Sequence, residues 1–238
     1  MLRWLERQEP FPPVERALKD PNGLLCAGAE LSLDRLLDAY RHGIFPWYSG
    51  DEPLLWWSPD PRMVLFSDEL KVPRSLAKSV RNKGYEVRSD SAFRQVIASC
   101  AGPRPASSGG GTWLGEDMRR AYSALHRAGY AHSFECWRGE ELVGGLYGVA
   151  IGRMFYGESM FSRATDASKV ALVALVGELR ARGFPMIDCQ MRTPLLASLG
   201  AREIPRREFL RRLLALVNYA ERPAPWREAK RDQNVEAE

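Results

Sequence analysis

Three alternating, largely apolar segments in immediate succession constrain this chain more than any other feature: Ser133 to Trp137, Leu142 to Ile151 and Met154 to Phe161. Only Arg138-Gly139-Glu140-Glu141 and Gly152-Arg153 separate them. Gaps this short read as hairpin turns, so the segments are expected as consecutive antiparallel strands of one sheet. Thr165 or Asp166 is expected to cap the helix that follows. Its interior, Val170 to Val176, is apolar nearly all round, which implies burial on more than one face before Gly183 ends it. A short strand, Met186 to Gln190, comes next. Pro205 can then open a last helix that turns Phe209, Leu210, Leu213, Leu214 and Val217 inward. The polar tail from about Arg222 is expected to fray. Hairpins, a buried helix and one further strand predict an α+β fold.

The chain before these segments reads differently. Its first sixty or so residues are punctuated by Phe11-Pro12-Pro13, Asp20-Pro21-Asn22-Gly23, Ile44-Phe45-Pro46 and Ser58-Pro59-Asp60-Pro61. One helix fits there, capped by Ser32, carrying Leu33, Leu36, Leu37 and Tyr40, and stopped by Gly43. Ordinary strands and helices begin with Met63-Val64-Leu65-Phe66. Helices are expected near Pro73 to Asn82, near Asp90 to Cys100, and over Met118 to Ala128, the last two joined by a loop through Ser107 to Gly111. The division predicts a small aromatic-rich N-terminal domain over 1–61 and a larger domain over 62–238.

Composition excludes several classes. The 238 residues are 45% hydrophobic and 27% charged, enough for a sizeable core. No apolar run is long enough for a membrane span, and Met1 to Glu6 lacks the pattern of a secretory signal, so a cytoplasmic location with no membrane partner is expected. Four scattered cysteines and three histidines offer no metal-ligand spacing, so neither a metal nor another cofactor is expected. A net charge of +4 favours an anionic partner without proving one. No apolar seam asks for a second copy, and a monomer is expected.

Several constellations could carry chemistry. In an unbroken strand Asp188 and Gln190 point the same way, and Ile187 and Cys189 the other. The carboxylate could then accept from the Gln190 side-chain NH2 and aim the amide oxygen at an incoming amine; equally, the two could satisfy buried backbone groups near a strand end. Glu158 would share a strand face with Met154, Tyr156 and Met160, where an acid asks either for an internal arginine or for a basic ligand. Lys71, Arg74, Lys78, Arg81 and Lys83 fall in a stretch with no acid. Arg74, Lys78 and Arg81 stack along one helical face opposite Val72, Leu76 and Val80, as a phosphate-binding stripe or a solvated face. Trp47, Tyr48, Trp56, Trp57 and Trp113 could stack on an exposed base or pack between domains. Leu142, Leu146, Phe155, Leu172, Leu175, Leu179 and Ile187 could line a core or, if a pocket opens, an apolar subsite.

Gly43-Ile44-Phe45-Pro46-Trp47, Trp56 to Arg62, Gly111-Thr112-Trp113, Gly157 to Ser162, Ile187-Asp188-Cys189-Gln190, Ala197 to Ala201 and Ile204 to Arg207 together resemble the leucyl/phenylalanyl-tRNA–protein transferases, in the family's order and near its spacing, from about Phe11 to Phe209. The resemblance implies a small N-terminal domain joined to a domain like the GCN5-related N-acetyltransferases. It also implies transfer of leucine or phenylalanine, and methionine less well, from aminoacyl-tRNA to the α-amino group of proteins beginning with arginine or lysine, marking them for N-end-rule degradation. By position, Asp188 and Gln190 match the catalytic pair and Glu158 the acid at the substrate site. Leu146, Phe155, Leu172, Leu175, Leu179 and Ile187 match the donor side-chain pocket. Tyr40, Trp47, Trp113 and Tyr122 match aromatic positions near the terminal adenosine, and Arg74, Lys78 and Arg81 match positions that hold the tRNA body. Leu195 stands where the family commonly has histidine, and Ala29-Glu30 where Gly-Asp is usual. The alternatives are an acetyl-CoA-dependent N-acetyltransferase, disfavoured because Ser162 to Asp166 supplies no glycine loop for a pyrophosphate, and a non-catalytic tRNA-binding module.

Overall fold

A computed structural model describes residues 2–49, 52–102, 114–219 and 226. Strands β1 (Arg3–Leu5), β2 (Leu24–Gly28), β3 (Phe45–Pro46) and β4 (Leu55–Trp57) form one sheet in the order β1-β2-β4-β3, with helix α1 (Leu33–Arg41) between β2 and β3. Ser32 caps α1 by accepting from the Arg35 N–H, as the sequence predicts. Gly43 then turns the chain at φ +72°, and a Cβ there would stand 2.7 Å from Leu210, so both conformation and packing demand glycine.

The second sheet begins at β5 (Arg62–Phe66). Helix α2 (Arg74–Asn82), strand β6 (Glu86–Ser89), helices α3 (Phe93–Cys100) and α4 (Glu116–Arg127) and strands β7 (Ala131–Arg138), β8 (Glu141–Ile151) and β9 (Met154–Ser162) follow. Helix α5 (Ala167–Ala181), strand β10 (Met186–Gln190), helix α6 (Pro194–Ser198), strand β11 (Arg202–Ile204) and helix α7 (Arg206–Val217) complete it. The seven strands lie in the order β11-β5-β10-β9-β8-β7-β6. The β7-β8-β9 meander is the hairpin series read in the sequence. Strand β6, short and half-exposed, has too weak an alternation to be seen there.

All pairs in this sheet are antiparallel except β9 with β10. That single parallel pair needs a crossover, which α5 supplies. As its composition requires, α5 is buried along most of its length, against β7, β8 and β9 and beside α2. Gly144 on β8 admits it: a Cβ there would fall 2.5 Å from Ala167. Asp166 occupies the N-cap position of α5, but its side chain does not cap the helix; it accepts instead from Ser79 Oγ and Lys169 Nζ.

The expectation of a frayed tail needs correction at one residue. Trp226 is buried, its N–H donates to Asp90 Oδ2 at 2.6 Å, and its indole stacks on His132 at 4.1 Å beside Phe134, Phe155 and Phe184. A large aromatic ring offered an apolar seat docks there despite its polar neighbours in sequence. Among the described residues no helix is long and apolar enough to cross a membrane.

Candidate active site

Strands β9 and β10 pair from Met186 opposite Met154 to Asp188 opposite Tyr156, and then separate. Each carries a bulge where they part. On β9, Gly157 pairs with Gly148 and Ser159 with Tyr147, leaving Glu158 unpaired. On β10, Asp188 pairs with Val64 and Gln190 with Met63, leaving Cys189 unpaired. An extra residue shifts the alternation of faces and re-aims the side chains beyond it.

The β10 bulge overturns the expected pairing of Asp188 with the Gln190 amide. Gln190 takes a left-handed φ of +56°, which for a non-glycine residue is sustained only by surrounding structure. Its backbone N–H donates to Asp188 Oδ1 at 2.9 Å, while its side chain turns away and donates from Nε2 to Glu158 Oε1 at 3.3 Å. Asp188 and the Gln190 side-chain amide thus do not bond to each other. Asp188 is fully buried and receives a two-pronged bond from Arg62, Nε to Oδ1 at 2.8 Å and Nη2 to Oδ2 at 2.6 Å.

Arg62 is the residue that sequence reasoning missed. It is itself fully buried, donates from Nη1 to the Gly43 carbonyl at 3.1 Å, and lies between the rings of Phe45 and Phe209 at 4.8 and 4.7 Å. A buried guanidinium that satisfies a buried carboxylate in two directions ties the turn after α1, strand β5, strand β10 and helix α7 into one unit. Arginine at the head of an apolar strand was the available signal; its partner, 126 residues away, was not.

Among the described residues Glu158 pairs with no arginine, contrary to the salt-bridge reading. Tyr40 from α1 donates to Oε1 and Tyr122 from α4 donates to Oε2, each at 2.7 Å, and the two phenol oxygens are also 2.7 Å apart. Burial lifts the Glu158 carboxyl to about 7, although both phenol hydrogen bonds pull it down. Tyr40 and Tyr122 have no exposed ring surface. They therefore cannot stack on a base, and the expectation that they meet a terminal adenosine gives way to support of Glu158 from below. Met160, expected on the same face as Glu158, lies beyond the bulge, packs against the core cluster that holds α5, and lines the same cavity as Glu158.

Between the parted strands lies a cavity of about 440 Å3, a size that suits a small ligand. Leu146, Leu172, Leu175 and Ile187 line it as the sequence predicts, joined by Leu195 and Leu196 from α6. Phe155 and Leu179 do not: both are fully buried in the core behind the cavity wall, because their strand and helix positions face the sheet interior. Gln190 and Glu158 stand on the cavity's polar edge, and half-buried Trp47, packed edge-on against Trp57, bounds it from the N-terminal sheet. Trp113 lies outside the described residues.

Arg74, Lys78 and Arg81 are exposed on α2, and among the described residues none of them forms an ion pair. Only Leu76 of the three apolar residues expected to face inward is buried; Val72 and Val80 are at the surface. Among the described residues no group of three or more His, Cys, Asp or Glu could hold a metal ion.

The cleft thus joins an apolar cavity to an amide, Gln190, and an acid, Glu158, at its edge. The family model described as leucyl/phenylalanyl-tRNA protein transferase matches residues 64–214, and the model of that family's N-terminal domain matches residues 29–60. Two similar curated proteins carry the name leucyl/phenylalanyl-tRNA–protein transferase: one from Thiobacillus denitrificans, 63% identical over 91% of this chain and 94% of its own, and one from Nitrosospira multiformis, 59% identical over 95% and 97%. The chain belongs to the leucyl/phenylalanyl-tRNA–protein transferase family. Among solved structures, L-PGS from Bacillus licheniformis is similar, 14% identical over 62% of this chain and 48% of its own, with a TM-score of 0.38.

Proposed function

We propose that this chain, as a cytoplasmic monomer, transfers leucine or phenylalanine from aminoacyl-tRNA to the α-amino group of proteins that begin with arginine or lysine, marking them for degradation by the N-end rule. The observation that carries this reading is the apolar cavity that ends at Gln190 and Glu158. A leucyl or phenylalanyl side chain fills the cavity, which brings its ester carbonyl to the polar edge. Methionine follows as a weaker donor, since an apolar pocket separates similar side chains by only about 1 to 3 kcal/mol per methylene. Trp47 offers its exposed part to the terminal adenosine, and Arg74, Lys78 and Arg81 offer phosphate contacts to the tRNA body.

The acceptor approaches Gln190, whose amide oxygen orients the amine for attack beside Glu158. Asp188 acts through position: by holding the Gln190 N–H and Arg62 it keeps the bulge that turns the amide toward the cleft. Aminolysis of an ester is downhill, and holding the two reactants together supplies much of the rate. An acetyl-CoA reading is disfavoured by the start of α5, where Asp166 brings a carboxylate to the place a pyrophosphate would need.

The test is to incubate the purified chain with Leu-tRNA or acetyl-CoA and a peptide beginning with arginine, without ATP, and to weigh the peptide. Addition of leucine supports the proposal. Acetylation, or tRNA binding with no product, refutes it.

A further inference from the structure

We propose that Glu158 is the base that takes the proton of the acceptor's α-ammonium group, and that Tyr40 and Tyr122 close a ring of three hydrogen bonds around the acid once it holds that proton. This rests on the transfer reaction proposed above and assigns its proton acceptor.

The ring itself supplies the first reason. Three oxygen–oxygen contacts of 2.7 Å join Glu158 Oε1, the Tyr40 hydroxyl, the Tyr122 hydroxyl and Glu158 Oε2. Two phenols bring only two hydrogens. With Glu158 ionised, both are directed at the carboxylate, and the phenol–phenol contact has none. With Glu158 protonated, one hydrogen serves each contact around a closed circuit. The site is therefore built to receive one proton, at the one residue of the three that lines the cavity.

The neighbours supply the second reason. Among the described residues Glu158 is the one carboxyl on the cavity wall, and Asp188 has both its oxygens engaged by Arg62. Burial pushes the Cys189 thiol up, away from any role as a base. Facing Glu158 are Tyr40 of α1, Tyr122 of α4, Tyr156 of β9, and Asp188 and Gln190 of β10, with Arg62 of β5 beyond Asp188. Tyr147 of β8 packs edge-on against Tyr122. Asp188 raises the affinity of Glu158 for a proton and Arg62 lowers it, but burial outweighs both and lifts the carboxyl to about 7. An α-amino group titrates at roughly 7.7 to 8.0, so the proton passes between partners of nearly equal affinity, the condition under which general bases work best.

The step balances. The ammonium N–H proton moves to a Glu158 carboxylate oxygen, leaving the amine neutral. Its lone pair forms the C–N bond to the ester carbonyl carbon, and the bond from that carbon to the ribose oxygen breaks. The second proton that the nitrogen loses goes to the departing ribose oxygen, which leaves as a hydroxyl. Glu158 returns its proton to solvent after the peptide departs.

Two measurements on the full chain test this. The first is kcat/KM against pH with Leu-tRNA and an arginine-first peptide, for the parent and Glu158→Gln. The parent is expected to show an enzyme inflection near 7 beside that of the peptide amine. Glu158→Gln is expected to lose that inflection and about 100-fold in kcat while KM for the peptide stays within a few fold. A surviving inflection, or a rise in KM alone, would overturn the proposal and leave Glu158 as a reader of positive charge. The second is the infrared band of a protonated carboxyl, which in the parent should vanish as pH rises through 7 and be missing from Glu158→Gln. Tyr40→Phe and Tyr122→Phe each remove one ring hydrogen and should move the midpoint of that band. If no such band titrates, or neither tyrosine variant moves it, the ring has no such role, even if leucine transfer proceeds. Failure of the parent to transfer leucine at any pH would instead sink the function proposed above, since the band reports on Glu158 without turnover.

Discussion

Glu158→Gln should stabilise the folded chain at alkaline pH. An unfolded Glu158 ionises near its ordinary value of 4.5, whereas burial raises it to about 7 in the fold. The folded state therefore binds this proton more tightly than the unfolded state. The stability so gained is complete below pH 4.5 and is lost as pH rises through 7. At ~1.4 kcal/mol for each tenfold change in proton affinity, holding the ionised form costs the fold up to about 3 kcal/mol at pH 8. This is an upper bound, because part of the side chain meets the cleft. Glutamine has the shape of the protonated acid. Its oxygen can accept from Tyr40 and its NH2 can donate to the Tyr122 oxygen, which closes the ring without a charge. Urea unfolding should thus find the variant more stable than the parent by up to about 3 kcal/mol at pH 8, roughly 6 to 12 °C in Tm, and equal to it near pH 4.5. A difference that is constant across pH, or a variant less stable at pH 8, would refute both the raised affinity and the ring. A gain in stability at the residue assigned as the base is the trade expected where a functional group is held in a strained setting.

Asp188→Ala strands the Arg62 guanidinium in a fully buried site, so it should lower stability by about 3 to 5 kcal/mol; a loss of turnover with unchanged urea midpoint would instead mark Asp188 as chemical rather than positional. Arg74→Ala should weaken tRNA binding and reduce its slope in log Kd against log salt by about 1, read from filter binding at several salt concentrations, since each lost phosphate contact releases fewer counterions; an unchanged slope would place α2 in solvent. Trp226→Ala removes a buried indole from between His132 and Phe155 and should destabilise the chain by about 3 kcal/mol in urea unfolding; a loss within about 0.5 kcal/mol would show the tail to be dispensable.

By itself the sequence determined the local elements. Periodicity marked the β7-β8-β9 meander and the all-round apolar α5, Ser32 and Gly43 bounded α1, and the motif order carried the family. Those features are written in residues a few positions apart, where spacing and backbone preference decide the outcome. Leu146, Leu172, Leu175 and Ile187 were legible as one apolar set because they sit at core periods on their elements, while Phe155 and Leu179 share that signature and differ only in which side of a wall they face. The tertiary structure alone decided the chemistry at the cavity edge. Two bulges set Glu158 and Cys189 out of register, and alternation, which places Asp188 and Gln190 on one face, fails at the point where a single unpaired residue enters a strand. Arg62 and Asp188 meet across 126 positions, and Tyr40 reaches Glu158 across 118. No local pattern encodes such partners, because a buried charge is satisfied by whatever the folded sheet brings beside it. The chain thus announced an acid and an amide; only the fold set Glu158 beside Gln190 on the cavity wall and bound Asp188 to Arg62.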